Sequence, residues 1–199
     1  MRISLGLGGA YFSHKNENEF QIISKYINEP VHRLLDSNPE LCILHGNAVE
    51  INGFCIGLVG KTCVGKTSSS INLIKNHHGK YMSDDVIIVD KSGYVHASME
   101  RPILNRNGTV SYIYPKDLFL EGEIFHGAQK LSALVYLGED DFSSKIEKIM
   151  SVLWNATSHR LAKIMAIPFF AFPNNCLSFD DNRLYDFIID KVCGERMNE

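Results

Sequence analysis

The sequence predicts an α/β domain in which a central mixed sheet carries flanking helices, and three observations indicate this class. Strand-like and helical segments alternate after residue 50. The apolar run "LSALVYLG" is typical of a buried strand. The pair Asn52-Gly53 stands between two apolar segments and predicts a β-hairpin, whose second strand leads into a glycine-rich loop.

Composition limits the class of protein. A chain of 199 residues, 45% hydrophobic and 22% charged, is ordinary for a soluble globular protein, so we expect one domain over residues 1–199. The net charge of −3 comes without a cluster of lysine and arginine, which argues against nucleic acid and anionic membranes as partners. No stretch reaches the roughly 18 apolar residues that a membrane span requires.

The cysteines and the N-terminus indicate a cytoplasmic protein. The five cysteines form no C-x-x-C pair, and their odd number argues against a disulfide framework. The N-terminal "MRISLGLGGAYF" is glycine-rich and lacks a small-x-small cleavage site, so we interpret it as a strand and not as a signal peptide.

The elements follow in order. We expect a strand near Ile3–Leu7 and a helix around Phe20–Leu35 that Pro30 interrupts or ends. "AVEI" and "FCIGLV" form the predicted hairpin, and "KTSSSINLIKNHH" is a helix with Ile71 and Ile74 inward that Gly79 stops. "KYMSDDVIIVD" is strand-like, and Ser92-Gly93 turns the chain into "YVHAS".

The C-terminal half is predicted to continue the alternation. "SSKIEKIMSVLWNA" places four apolar residues on one helical face: Ile146, Ile149, Met150 and Leu153. "SHRLAKIMA" continues helically, "FFAF" is a short strand, and "DNRLYDFIIDKV" is a closing helix. Asp140-Asp141 and Asp180-Asp181 are expected to cap the helices that follow them.

The glycine-rich loop satisfies the pattern G-x-x-x-x-G-K-[ST] at every fixed position. Its glycines let consecutive backbone N–H groups converge on one anion, and the following helix adds its positive end. The candidate nucleotide-binding residues are Gly60, Lys61, Thr62, Cys63, Val64, Gly65, Lys66, Thr67 and Ser68. Lys66 is expected to reach the β and γ phosphates and Thr67 to bind Mg²⁺, so the sequence predicts a nucleotide-binding core over about residues 41–92.

Two acidic positions follow the loop, and chain geometry separates them. The helix carries the chain ~18 Å from the phosphates at 1.5 Å per residue. The return strand covers ~16 Å by Asp84 at about 3.3 Å per residue, whereas Asp90 overshoots by another ~20 Å. We therefore expect Asp84-Asp85 beside the γ phosphate and Asp90 at the following turn. Adjacent carboxylates on a strand point to opposite faces unless a bend brings them together.

Three motifs in order resemble the catalytic core of the HPr kinase/phosphorylase family, a P-loop group that also includes phosphoenolpyruvate carboxykinase. They are "LHGNAVEING", "GLVGKTCVGKTSSSINLI" and "GKYMSDDVIIVD", and the resemblance covers about residues 44–90. It implies an ATP- and Mg²⁺-dependent kinase acting on a serine hydroxyl. By this resemblance Lys66 is the loop lysine, Thr67 and Asp85 serve the metal, Asp84 is the catalytic base and His45 the active-site histidine.

The sequence also departs from the family pattern. Where the family has Glu-x-Arg-Gly, this chain has "LNRNG", which puts Asn105 at the glutamate and Arg106 at the arginine. Arg160 and Arg183 are the candidates for a late catalytic arginine. The N-terminal domain of the full-length bacterial enzyme has no counterpart in this sequence.

These departures favour a shortened relative that resembles the serine kinases of peptide-modification pathways, such as those of lasso peptides. The expected partner is a peptide or protein that bears a serine, and the family resemblance also suggests a homo-oligomer. Two alternatives remain open: a kinase of a small molecule such as free serine, and a nucleotide-binding module that has lost catalysis.

Overall fold

The computed structural model describes residues 4–6, 9–11, 37–97, 103–106, 109–112, 115–138, 144–154, 157–173 and 182–194. Its strands are β1 (Ser4–Gly6), β2 (Gly9–Tyr11), β3 (Cys42–Ile51), β4 (Phe54–Val59), β5 (Lys80–Ser83), β6 (Val86–Val89), β7 (Tyr94–His96), β8 (Ile103–Arg106), β9 (Thr109–Tyr112), β10 (Ala128–Gly138), β11 (Leu153–Trp154) and β12 (Phe169–Pro173). Its α-helices are α1 (Lys66–His77), α2 (Pro115–Leu118), α3 (Lys145–Met150), α4 (Ser158–Met165) and α5 (Arg183–Ile188).

The central sheet is mixed, with β4 between two long strands. β4 pairs antiparallel with β3 and parallel with β10, and β12 pairs parallel with β10. The first halves of β3 and β10 pair with β6 and β7, which also pair with each other, so the hydrogen-bonded strands close into a ring. Helices cover this sheet, and the predicted α/β class with a central mixed sheet and flanking helices is confirmed.

β5 and β6 together run along one edge of β3 as a single interrupted strand. Lys80 lies opposite Glu50, and Val89 lies opposite Cys42. The interruption falls at Asp84-Asp85, between the pairs that join Ser83 to Ala48 and Val86 to His45. The register therefore sets the two aspartates beside the Gly46-Asn47 segment of β3.

Hydrophobic residues pack on both faces of the sheet. One cluster lies beneath α1 and α5 and includes Val49, Ile74 and Ile188; the other lies beneath α3 and α4 and includes Ile149 and Ile164. Because side chains alternate along a strand, His45 and Asn47 share the face of Val49, which is the face covered by α1.

The predicted hairpin and loop helix are confirmed, with one change at the helix end. Asn52 and Gly53 have φ values of 51° and 84°, which suits a tight turn between β3 and β4. α1 ends at His77, and the left-handed residue that follows is His78 (φ 57°), not Gly79. The Gly79 N–H bonds to the Leu73 carbonyl, and a Cβ there would press on Val49 and that carbonyl, so close approach explains the glycine.

The predicted four-residue face of "SSKIEKIMSVLWNA" is wrong. α3 ends at Met150, and Leu153 instead pairs with Leu44 on the edge of β3. Ile149 is buried, whereas Ile146 and Met150 are 50% and 45% exposed. A strand pairing replaces the last turn because it satisfies the backbone groups of Leu153 and Trp154 on the sheet edge.

Several predictions lie outside the described residues: the helix around Phe20–Leu35 and the caps at Asp140-Asp141 and Asp180-Asp181. Ser144 caps α3, accepting a hydrogen bond from the Glu147 N–H. In the part of the chain that the structure describes, no helix combines the length and the apolar character needed to cross a membrane.

Candidate active site

The glycine-rich loop connects the end of β4 to the start of α1. Its backbone enters the left-handed region at Cys63 (φ 63°) and Gly65 (φ 95°), and Gly60 has φ 150°. A Cβ on Gly60 would overlap the carbonyl oxygen of Leu137 in β10, so only glycine fits there. The first helical bond runs from the Ser69 N–H to the Gly65 carbonyl over 2.9 Å. The loop therefore leaves β4 and enters α1 as the motif predicts.

Lys66 holds its ammonium group over its own loop. The residue is 7% exposed, and its Nζ donates to the carbonyls of Gly60 over 3.1 Å and Lys61 over 2.9 Å. Burial lowers the pKa of Lys66, and the nearby carboxylates of Asp85 and Asp84 partly oppose this effect. The loop, Lys66 and both aspartates thus belong to one electrostatic neighbourhood. Thr67 and the exposed Ser68 follow in the first turn of α1.

The break between β5 and β6 provides the bend that adjacent carboxylates need in order to share a site. Asp85 has φ 66°, and the Val86 N–H bonds to the Asp84 carbonyl over 2.8 Å. The Gly46 N–H bonds to the Asp85 carbonyl over 3.1 Å, which attaches the bent segment to β3.

Asp84 is the buried member of the pair, at 2% exposed. Its Oδ1 accepts a hydrogen bond from the Thr67 hydroxyl over 3.0 Å and from Asn47 Nδ2 over 2.6 Å. Two donors thus converge on one carboxylate oxygen. A direct contact therefore joins the predicted metal-binding hydroxyl to the predicted base.

Asp85 and His45 form the more open side of the site. The Asp85 side chain is 50% exposed, and its Oδ1 lies 3.6 Å from Nδ1 of His45. Burial lowers the pKa of His45, the charge of Lys66 lowers it further, and Asp85 opposes both. The Nε2 atom of His45 is buried and has no hydrogen-bond partner among the described residues.

Asn47 is the site residue that the sequence reasoning missed. It is 1% exposed and contacts residues from both the loop helix and the aspartate turn, including Ser70 Oγ at 3.0 Å. The available signal was an asparagine two positions after His45, on the same face of a strand whose neighbours are apolar. A buried amide at such a position needs polar partners, and in this fold the partners are catalytic candidates.

The oxygen donors around the loop suit Mg²⁺, which binds together with substrate phosphates. They do not suit a metal ion coordinated by protein side chains alone. No group of three or more His, Cys, Asp and Glu side chains within the described ranges could hold a metal. Mg²⁺ is usually bound by one or two carboxylates together with substrate phosphates. The Thr67 hydroxyl and the Asp85 carboxylate beside a phosphate loop supply the hard oxygen donors of such a site.

The other residues that the sequence singled out lie away from this site or have side chains outside the described residues. Asp90 caps the turn after β6, as predicted, accepting from the backbone N–H groups of Ser92 and Tyr94. The Arg160 guanidinium is buried and donates to the Asn38 carbonyl ahead of β3, and Arg183 is exposed at the start of α5. β8 carries Asn105 and contacts α1, but the side chains of β8 are outside the described residues.

Comparison with known proteins supports the resemblance. The chain is 29% identical over 70 residues to an HPr kinase/phosphorylase from Caldanaerobacter subterraneus subsp. tengcongensis, a match that covers 35% of this chain and 23% of that protein. A solved structure described as the Hpr(Ser) kinase/phosphatase from Coxiella burnetii is similar with a TM-score of 0.46 and 17% identity, over 78% of this chain and 97% of that one. No family model matches the chain.

The similarity in sequence confirms the predicted resemblance to HPr kinase/phosphorylase. The match spans less than a quarter of that relative, 23% of its length, so its activity and substrate are not transferred with it. The likeness to lasso-peptide kinases stays a prediction.

Proposed function

We propose that this chain is an ATP-dependent kinase that transfers the γ-phosphate to a serine hydroxyl of a peptide or protein. One observation carries the proposal: Asp84, from the break between β5 and β6, accepts a hydrogen bond from Thr67 of the phosphate loop. This contact places a carboxylate beside the residue that should meet the terminal phosphates.

The proposed roles follow from the positions. The loop N–H groups and Lys66 bind the phosphates of ATP, and His45 and Asp85 line the open side where the acceptor enters. Thr67 and Asp85 would hold Mg²⁺, which neutralises charge on the β and γ phosphates when it is bound.

The proposed transfer balances with Asp84 as the base. The acceptor oxygen forms a bond to the γ-phosphorus as the bond from that phosphorus to the β–γ bridging oxygen breaks. The hydroxyl proton goes to the Asp84 carboxylate, and ADP leaves with the electron pair of the broken bond. Catalysis then consists mainly of positioning and charge neutralisation.

The test uses γ-labelled ATP, Mg²⁺ and lysate of the host cell, and compares wild type with Asp84→Asn. A peptide or protein labelled only by wild type would support the proposal and identify the acceptor. Label on a small molecule such as free serine would replace the peptide acceptor with a metabolite.

A nucleotide-binding module without transferase activity is the second candidate. Asn105 at the position of the family's glutamate favours it, because an amide is a weaker ligand for Mg²⁺ than a carboxylate. Confirmed ATP binding with no transfer to peptide, protein or metabolite would support this candidate and reject the kinase.

A further inference from the structure

We propose that Asn47 is a positioning residue that fixes both aspartates against the phosphate loop; the inference rests on the proposed kinase function. It belongs to β3, while its partners belong to α1 and to the break between β5 and β6. It is thus the point where three separate segments meet through one side chain.

The amide nitrogen of Asn47 holds the first aspartate. It donates to Asp84 Oδ1 over 2.6 Å and to Ser70 Oγ over 3.0 Å, and lies 3.4 Å from Thr67 Oγ1. The Ser70 hydroxyl in turn donates a hydrogen bond to the Lys66 carbonyl over 3.0 Å. The position of the Asp84 carboxylate is therefore tied to the first turn of α1.

The amide oxygen of Asn47 holds the second aspartate. It accepts from the backbone N–H of Asp85 over 3.3 Å. The left-handed conformation of Asp85 interrupts the ladder between β3 and its neighbour, and the Asn47 oxygen supplies an acceptor at this point. Holding a non-glycine residue at φ 66° costs about 1 kcal/mol or more, so the bend requires such support.

The nitrogen and the oxygen of the Asn47 amide thus hold different aspartates. Replacing Asn47 by aspartate or by leucine tests the two contacts separately. Asn47→Asp keeps an acceptor for the Asp85 N–H but replaces the donor to Asp84 with a second carboxylate that faces it. Asn47→Leu fills a similar volume and loses both. Ser83→Ala is the matched control, because Ser83 is also a buried polar residue on the adjoining strand, 1% exposed, and its hydroxyl has no hydrogen-bond partner among the described residues.

The first experiment needs no nucleotide. Amide hydrogen exchange of the ligand-free chain should accelerate at Asp85 by about tenfold or more in Asn47→Leu, and much less in Asn47→Asp and Ser83→Ala. Exchange in the core of β4 should stay unchanged, which separates local release of the turn from general unfolding. Unchanged exchange at Asp85 in Asn47→Leu would overturn the inference, whatever the protein binds.

The second experiment compares ATP affinity with Mg²⁺ and with EDTA by calorimetry. Wild type and Ser83→Ala should gain affinity with Mg²⁺, and both Asn47 variants should lose about tenfold to a hundredfold of that gain while binding metal-free ATP normally. If both Asn47 variants gained as much ATP affinity with Mg²⁺ as wild type, the positioning role would be rejected and the proposed function would stand. Absence of any ATP binding by wild type would instead reject the proposed function, and the positioning role with it.

Discussion

The two acidic turns after β5 and β6 differ in where their partners come from. Asp90 accepts hydrogen bonds from the N–H groups of Ser92 and Tyr94 and contacts His96 Nε2 at 2.9 Å, all within six residues. Asp84 is held by Thr67 and Asn47, which stand 17 and 37 residues away. One carboxylate is held by its own local sequence, and the other by residues that the tertiary fold brings to it.

This difference separates a structural carboxylate from a candidate catalytic one. Burial alone would raise the pKa of Asp90, but hydrogen bonds from His96 and from the backbone of Tyr94 and Ser92 hold it below the ordinary value. The hydrogen-bond partners of the Asp90 carboxylate all lie within six residues of it. Those of Asp84 instead connect it to the helix that follows the glycine-rich loop, the proposed nucleotide site.

The largest effect should come from removing the Asp84 carboxylate. Asp84→Asn should lower the rate of phosphate transfer by about a thousandfold, because a general base contributes roughly 10²–10⁴. ATP binding should remain nearly intact, since Lys66 and the loop N–H groups are unchanged. The rate of labelling from γ-labelled ATP measures the first quantity, and calorimetry the second.

Asp90→Asn is the control for that experiment. Its transfer rate should match wild type within about twofold, because the hydrogen-bond partners of the Asp90 carboxylate all lie within six residues of it and none belongs to the candidate site. An active Asp84→Asn variant, or an inactive but folded Asp90→Asn variant, would reverse the assignment of the two turns.

The next largest effects should come from replacing two glycines by alanine, Gly60 in the glycine-rich loop and Gly93 in the Asp90 turn. The two replacements should differ in their cost in unfolding free energy. Gly60→Ala brings a Cβ against the Leu137 carbonyl and should cost about 3 kcal/mol of unfolding free energy and impair ATP binding. Gly93→Ala meets no atom within 4 Å, so only the strain of φ 84° remains, about 1 kcal/mol. Urea denaturation measures both, and equal costs would show that the close approach to β10 is unimportant.

A smaller effect should follow from Asp90→Asn on stability. Losing its charge-assisted hydrogen bonds should cost about 1 kcal/mol at pH 7. Because the folded state lowers the pKa of Asp90, this stabilisation is complete above the ordinary pKa of aspartate, about 3.9, and is lost as the pH falls through the folded value. Denaturation curves of both proteins should converge below about pH 4; a constant difference down to pH 3 would contradict this origin.

The smallest effect should come from His96→Gln. The pair with Asp90 is partly exposed, at 44% and 26% of the two side chains, so its loss should cost only a few tenths of a kcal/mol. Thermal unfolding should shift by about a degree or two, with no change in phosphate transfer. A large loss of transfer would mean that the Asp90 turn is coupled to the site after all.

Local patterns predicted the elements whose chemistry is contained in consecutive residues. Asn52-Gly53 gives the hairpin, the glycine spacing gives the loop, and the run after Lys130 gives β10. The same reasoning failed for residues 146–153, whose apolar spacing suits a helix. The edge of β3 was available to Leu153 and Trp154, and that pairing is invisible in a local pattern.

The sequence by itself determined that a phosphate loop joins a buried strand to a helix, because the backbone conformation of that loop depends on its own glycines. Chain geometry indicated the Asp84-Asp85 pair, but only the tertiary structure decided that Asp84 is the member held against Thr67. The break at Asp84-Asp85 lies beside Asn47 because β5 and β6 pair with β3 in one register, and that register joins segments distant in the chain. A carboxylate's role depends on what faces it across the sheet, and that is a property of the folded chain.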